Sequence, residues 1–209
     1  LKTAEIITQV IVDRGDPAFM DPTKFIGPPM TSEEAKEHQK NQGYLCRYYR
    51  LNDQGEEVWR RVVPSPKPRD IIEIDIIESC LLSGNIPIAV GGGGIPVVEI
   101  QPQKKGDLER YPCSYEITYQ KPVDTAPAKV YCGVEGVVDK DLSSSLLATR
   151  LMERARKRGE ELEVELVILT DVDGVKLNYQ QENQQDLRSL NLAEVKELNQ
   201  SGIFPSGSM

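Results

Sequence analysis

Lys140 stands between two aspartates, Asp139 and Asp141, where DKDLSSSLL runs into a leucine-periodic stretch. A lysine at the start of a helix can neutralise a phosphoryl group in transfer, and a carboxylate such as Asp141 can hold that lysine and others in place. The same spacing suits a plain helix cap, with Asp139 or Asp141 satisfying the free N–H groups of the first turn. Four consecutive glycines, Gly91, Gly92, Gly93 and Gly94, are the second candidate. Glycine tolerates positive φ and lets backbone amides approach an anion closely, so the run is either a phosphate cradle or a strained turn. It matches no known fingerprint: GxxxxGK[ST] is absent, and GxGxxG fails because Pro96 takes the place of the third glycine. Strand-like VVEI follows, so no helix dipole backs the loop. Lys24, in DPTKFIGPP, is the third candidate, because flanking prolines could hold its ammonium over a neighbouring site at low entropic cost. TDVDGV, from Thr170, resembles a calcium loop but fails the test. Counted from Asp171, the sixth residue is Lys176 and not glycine, which leaves a nucleotide-facing loop end or a tight turn.

Other chemistries are excluded by what the chain lacks. Its single histidine, His38, lies in a polar helix-like stretch, so no Ser/His/Asp set is possible. The cysteines (Cys46, Cys80, Cys113, Cys132) form no CxxC pair, which argues against a zinc site or disulfide framework and for reduced thiols in the cytoplasm. A net charge of −8 with no long basic run speaks against nucleic acid as a partner. No apolar stretch approaches the ~20 residues of a membrane span, and no signal-like start is present.

Elements must bring these residues together. EIITQVIV, residues 5–12, reads as a buried strand, followed by a proline-studded loop to residue 30. Thr31 and Glu34 have capping-box spacing for a helix, and residues 44–63 read as a hairpin turning near Asn52 to Gly55. The rigid joint PSPKP makes residues 13–67 a candidate protruding subdomain. Beyond it, residues 69–83 read as a helix with Ile74, Ile77 and Leu81 on one stripe. IPIAV and VVEI read as strands, tyrosine alternation over 111–119 suggests a hairpin, and DKDLSSSLLATRLMERARKRGE reads as a helix stopped near Gly159. VELVILT, residues 164–170, reads as a fully apolar strand, and Asn191 with Glu194 caps a last helix. Strands alternating with helices predict an α/β protein, a three-layer α/β/α sandwich around a mainly parallel sheet. In such sheets ligands gather at the carboxyl ends of strands.

Taken together, TQVIVDRGDPAF, DPTKFIGPP, WRRVVPSPKP, GGGGIPVVE, GVEGVVDKDLSSSLLA, ILTDVDGVKLNY and the closing F-x-x-GSM resemble carbamate kinase, of the amino acid kinase superfamily, in the family's order. The resemblance implies reversible phosphoryl transfer: ATP and carbamate give ADP and carbamoyl phosphate, run toward ATP in arginine catabolism. It implies Mg²⁺ held mainly by the nucleotide phosphates, a cytoplasmic homodimer, and an amino acid kinase domain spanning the chain. By the same resemblance Lys140 binds the transferring phosphoryl, Asp141 organises the catalytic lysines, and Lys24 reaches over the substrate. Gly91 to Gly94 would line the substrate and phosphate side, and Thr170, Asp171, Asp173 and Gly174 the nucleotide. Departures from the pattern accompany it. The family's upstream GGNA and GNGPQVG loops and the lysine after GSM are not in the chain, YYRLNDQGEEVWR replaces DAGRGWR, and residues 101–130 are an insertion. The resemblance therefore implies an incomplete kinase domain, inactive alone. A non-catalytic homologue serving as an interaction module, or another member of the superfamily, is the alternative.

Overall fold

The computed structural model describes residues 2–100, 116–119, 129–170, 172, 174–179 and 181–203. Two compact units divide the chain, Leu1–Leu166 and Val167–Met209. In the first, the apolar N-terminal run forms two strands rather than one, β1 (Thr3–Glu5) and β2 (Gln9–Val12). Thr8 makes the break. Its hydroxyl donates to the Ile6 carbonyl and accepts the Val90 N–H, each at 2.9 Å, taking the place of ladder bonds. β1 pairs in parallel with β7 (Ile86–Ile88) as a two-stranded sheet. β2 enters a five-stranded sheet ordered β6 (Pro68–Ile71), β2, β8 (Ile95–Ile100), β10 (Lys129–Gly133) and β9 (Glu116–Tyr119). The class is α/β, and the described sheet is mixed: β2 and β8 run parallel, and the other three pairs are antiparallel. Its core gathers Val10, Val12, Ile71, Val98, Ile100 and Cys132 from the strands, with Ile77, Val90 and Val138.

The helix expected over 69–83 begins later, as α2 (Ile74–Leu82). Its first residues are spent on β6, where Ile71 and Asp70 pair with Val10 and Ile11. β-branched residues beside an open strand take the ladder in preference to a helical turn. Ile77 is fully buried, whereas Leu81 is 43% exposed and Glu78 takes the buried place beside it. Residues 24–63 form an antiparallel sheet of β3 (Lys24–Met30), β5 (Glu57–Val63) and β4 (Cys46–Leu51), in that order, with α1 (Ser32–Gln42) between β3 and β4 in the chain. Thr31 and Glu34 close the capping box, and the Asn52 carboxamide oxygen accepts the Gln54 and Glu56 N–H groups in the β4–β5 turn.

α3 (Lys140–Lys157) starts on an Asp139 cap and is clamped by its arginines. Arg154 and Arg158 both reach Glu78 on α2, and Arg150 reaches Asp70 on β6 at 3.0 Å. After α3, the apolar run 164–170 is not a strand. Val167 is 68% and Leu169 90% exposed, so the run lacks the burial that a core strand has. The second unit holds a hairpin, β11 (Val175–Leu177) with β12 (Gln185–Leu187), and α4 (Leu192–Gln200), closed by the Asn191–Glu194 capping box. Most of the expected 101–130 insertion lies outside the described residues; β9 and β10 pair antiparallel at its end. Cys46 and Cys80 are free, but Cys132 is disulfide-bonded, contrary to the expectation of reduced thiols throughout. Among the described residues no helix is long and apolar enough to cross a membrane.

Candidate functional site

Asp139 is the hinge of the site. Its Oδ1 accepts the N–H groups of Asp141 at 3.0 Å and Leu142 at 3.4 Å, capping α3. Its Oδ2 accepts a hydrogen bond from the Lys24 ammonium at 3.0 Å, across 115 residues of sequence. Helix cap and lysine holder are thus not alternatives, because one carboxylate does both. Burial pushes the Asp139 carboxyl up, but Lys24 and the two backbone donors outweigh it and hold it below the usual carboxylate value. The expected organiser of the lysines was Asp141. The carboxylate that touches Lys24 is Asp139 instead, while Asp141 lies half-buried in the first turn with no side-chain partner among the described residues. Lys140, the first residue of α3, is exposed and carries no described ion pair, so its ammonium is available to an anion.

The glycines pack directly behind this corner. Gly91–Gly93 make a single 3-10 turn, entered through Val90 at φ 50°. A Cβ on Gly93, at φ 110°, would stand 2.0 Å from the Val138 carbonyl oxygen. One on Gly94, at φ 81°, would stand 2.4 Å from Val10 Cγ2. Real Cβ atoms do not approach that closely, so a glycine is required at 93 for the loop to reach the residue before Asp139, and at 94 for it to pack against β2. Ser143, fully buried in the first turns of α3, donates its hydroxyl to the Gly93 carbonyl at 2.7 Å and ties loop to helix. Gly91 and Gly92 face outward, and neither N–H has an acceptor among the described residues. The run is therefore a tight turn in its second half and an open pair of amides in its first.

The proline joint explains how Lys24 arrives. Pro66 is fully buried, and the Val137 N–H donates to the Pro64 carbonyl at 2.9 Å. Asp16 accepts the Ala18 and Lys67 N–H groups, which outweigh the effect of burial and keep its carboxyl below the ordinary value. Arg61 of β5 pairs with Glu135 on the same stretch. Lys24, Asp139, Lys140, Asp141 and the glycines are thus assembled in the first unit. Of the four expected nucleotide residues, Asp171 and Asp173 lie outside the described residues. Thr170 and Gly174 fall in the second unit, where Gly174 lines a cleft of about 320 Å³ with Lys176, Asp186 and Arg188. A larger cleft of about 660 Å³, between the start of α1 and the β4–β5 turn, contains none of the expected residues. Sequence reasoning missed Ser143, hidden among three serines, and the second role of Asp139. Only the three-dimensional contact reveals either.

The fold is that of the amino acid kinases, and the solved structures share it. The chain superposes on a crystal structure from Aeropyrum pernix K1 with a TM-score of 0.69 at 36% identity, covering 100% of this chain and 54% of that one. It superposes on a carbamate kinase from Giardia lamblia bound to AMP-PNP with a TM-score of 0.67 at 31% identity, covering 100% of this chain and 53% of that one. In sequence the chain is homologous to carbamate kinases along nearly its whole length. It is 39% identical over 204 residues to the carbamate kinase of Thermoplasma acidophilum, and 40% identical over 205 residues to that of Clostridium perfringens. Each match covers 98% of this chain and 52% of the relative, so the chain spans about half the length of the curated relatives it matches. No protein-family model matches it.

Proposed function

We propose that this chain carries the phosphoryl-transfer corner of a carbamate kinase, which moves a phosphoryl group reversibly between ATP and carbamate. The observation that carries the reading is the meeting of Lys24, Asp139 and Lys140 at the start of α3, against the Gly91–Gly94 turn. In the direction that makes ATP, the bond between the phosphoryl group and the carbamoyl oxygen breaks as a β-phosphate oxygen of ADP bonds to phosphorus, releasing carbamate. Such a transfer needs positioning and charge neutralisation more than covalent help from the protein. Lys140 and Lys24 supply positive charge to the equatorial oxygens, the Gly91 and Gly92 N–H groups donate to an anion, and the α3 dipole adds to both. Asp139 keeps the Lys24 ammonium in place, and Asp141, next to Lys140 in the first helical turn, adds a second carboxylate to the corner. Thr170, Asp171, Asp173 and Gly174 border the nucleotide.

Among the described residues no cluster of three or more His, Cys, Asp or Glu could hold a metal ion. Amides and ammoniums fit phosphate oxygens, and this suits a Mg²⁺ carried by the nucleotide phosphates, where it neutralises charge. On this reading the enzyme works in the cytoplasm as a homodimer, making ATP in arginine breakdown. The test is ATP formation from ADP and carbamoyl phosphate. The 209-residue chain by itself is expected to show no turnover above background, and a polypeptide containing it at the full length of its relatives is expected to make ATP. A full-length polypeptide that binds neither ADP nor carbamoyl phosphate would instead favour the non-catalytic interaction module.

A further inference from the structure

We propose that Asp139 is the positioning residue for Lys24, latching the β3–β5–β4 sheet to the start of α3 so that the Lys24 ammonium is held beside Lys140. What Lys24 is held for rests on the phosphoryl-transfer reading above; the latch itself does not. The observation is a seam of three alternate residues. Glu135 pairs with Arg61 of β5, the Val137 N–H donates to the Pro64 carbonyl that follows β5, and Asp139 accepts from Lys24 at the start of β3. Gly136 lies on the same seam, where a Cβ would stand 3.1 Å from the Pro64 carbonyl oxygen.

Two features separate the last contact from an ordinary surface ion pair, which ties down two mobile chains and gains little. Asp139 is fixed by the Asp141 and Leu142 N–H groups before it meets Lys24, so it loses little freedom in pairing. Lys24 opens β3, between Pro22 before the strand and Pro28 within it, and the two side chains are only 38% and 29% exposed. The charged residues that follow the pair in the chain are Lys140 and Asp141, in the first turn of α3. On the phosphoryl-transfer reading, the latch brings the Lys24 ammonium to the helix start that carries Lys140.

Asp139→Asn separates latch from cap, because asparagine caps a helix as well as aspartate but offers no charge to a lysine. Hydrogen exchange in the 209-residue chain reads both. The Val137 amide reports the seam, and the Ser143 amide, which donates to the Asp139 carbonyl at 3.0 Å, reports the first turn of α3. In Asp139→Asn the Val137 amide is expected to exchange about threefold faster while Ser143 is unchanged. Lys24→Met should give the same pattern, and the double variant no more than either single one. An unchanged Val137 amide in Asp139→Asn, or effects that multiply in the double variant, would overturn the latch. In the full-length polypeptide, Asp139→Asn should lower kcat by about tenfold to a hundredfold with KM for ADP unchanged. Wild-type kcat in that variant would overturn the positioning role. If the unsubstituted polypeptide makes no ATP at all, the functional reading fails, and the exchange cycle still decides the latch.

Discussion

Gly93 is the residue at which backbone and site constrain each other most tightly. Any side chain there strains φ 110° and collides with the Val138 carbonyl, whose chain leads directly into Asp139 and Lys140. Gly93→Ala is expected to destabilise the chain by about 2–3 kcal/mol, read as a lower denaturant midpoint. Gly91→Ala, where a Cβ meets nothing and φ is not positive, should cost far less. Acid sensitivity is also a residue-scale property. The Asp16 and Asp139 carboxyls are held below their ordinary values in the fold, so in acid the unfolded chain binds more protons than the folded one. Their contribution is complete above the unfolded carboxylate value and is lost as pH falls, between about pH 5 and pH 2. Thermal scans across that range should show a falling midpoint, with a shallower fall in Asp139→Asn. An equally steep fall in that variant would remove Asp139 from the account. Sequence alone named Lys24, Lys140 and the glycines because their types are unusual for their places. It could not name the Asp139–Lys24 contact, since nothing local distinguishes a capping aspartate from one that also holds a lysine 115 residues away.

Among the elements, α3 carries the site at one end and its anchorage at the other. Glu78 is buried on α2 and receives both Arg154 and Arg158, which outweigh the cost of its burial and keep its carboxyl below the ordinary value. Glu78→Gln keeps the shape but removes the charge facing two guanidinium groups. The expected loss is about 2 kcal/mol, seen as a shifted urea midpoint with an unchanged slope. A midpoint equal to that of the parent chain would mean the clamp is solvated and idle. The helices that announced their own starts were legible. Thr31–Glu34, Asp139 and Asn191–Glu194 are local signals, and α1, α3 and α4 begin where they say. Elements decided by distant partners were not. Residues 69–71 are drawn from helix into strand by β2, and the apolar run 164–170 is exposed and forms no strand.

Across the whole molecule, the α/β class was readable from alternating elements, while the mixed direction of the sheet depends on pairings no periodicity encodes. Homology to carbamate kinases extends over nearly all of this chain and about half of theirs, and the corner of lysines, carboxylates and glycines lies within that shared half. The central claim is that this corner neutralises a phosphoryl group as it passes between carbamate and the nucleotide. Steady-state formation of ATP from ADP and carbamoyl phosphate, in a polypeptide spanning the full length of the relatives, tests it most directly when Lys140 is replaced by alanine. The account predicts a fall in kcat of about 10²–10³-fold with the fold intact. Turnover equal to that of the unsubstituted enzyme would contradict it.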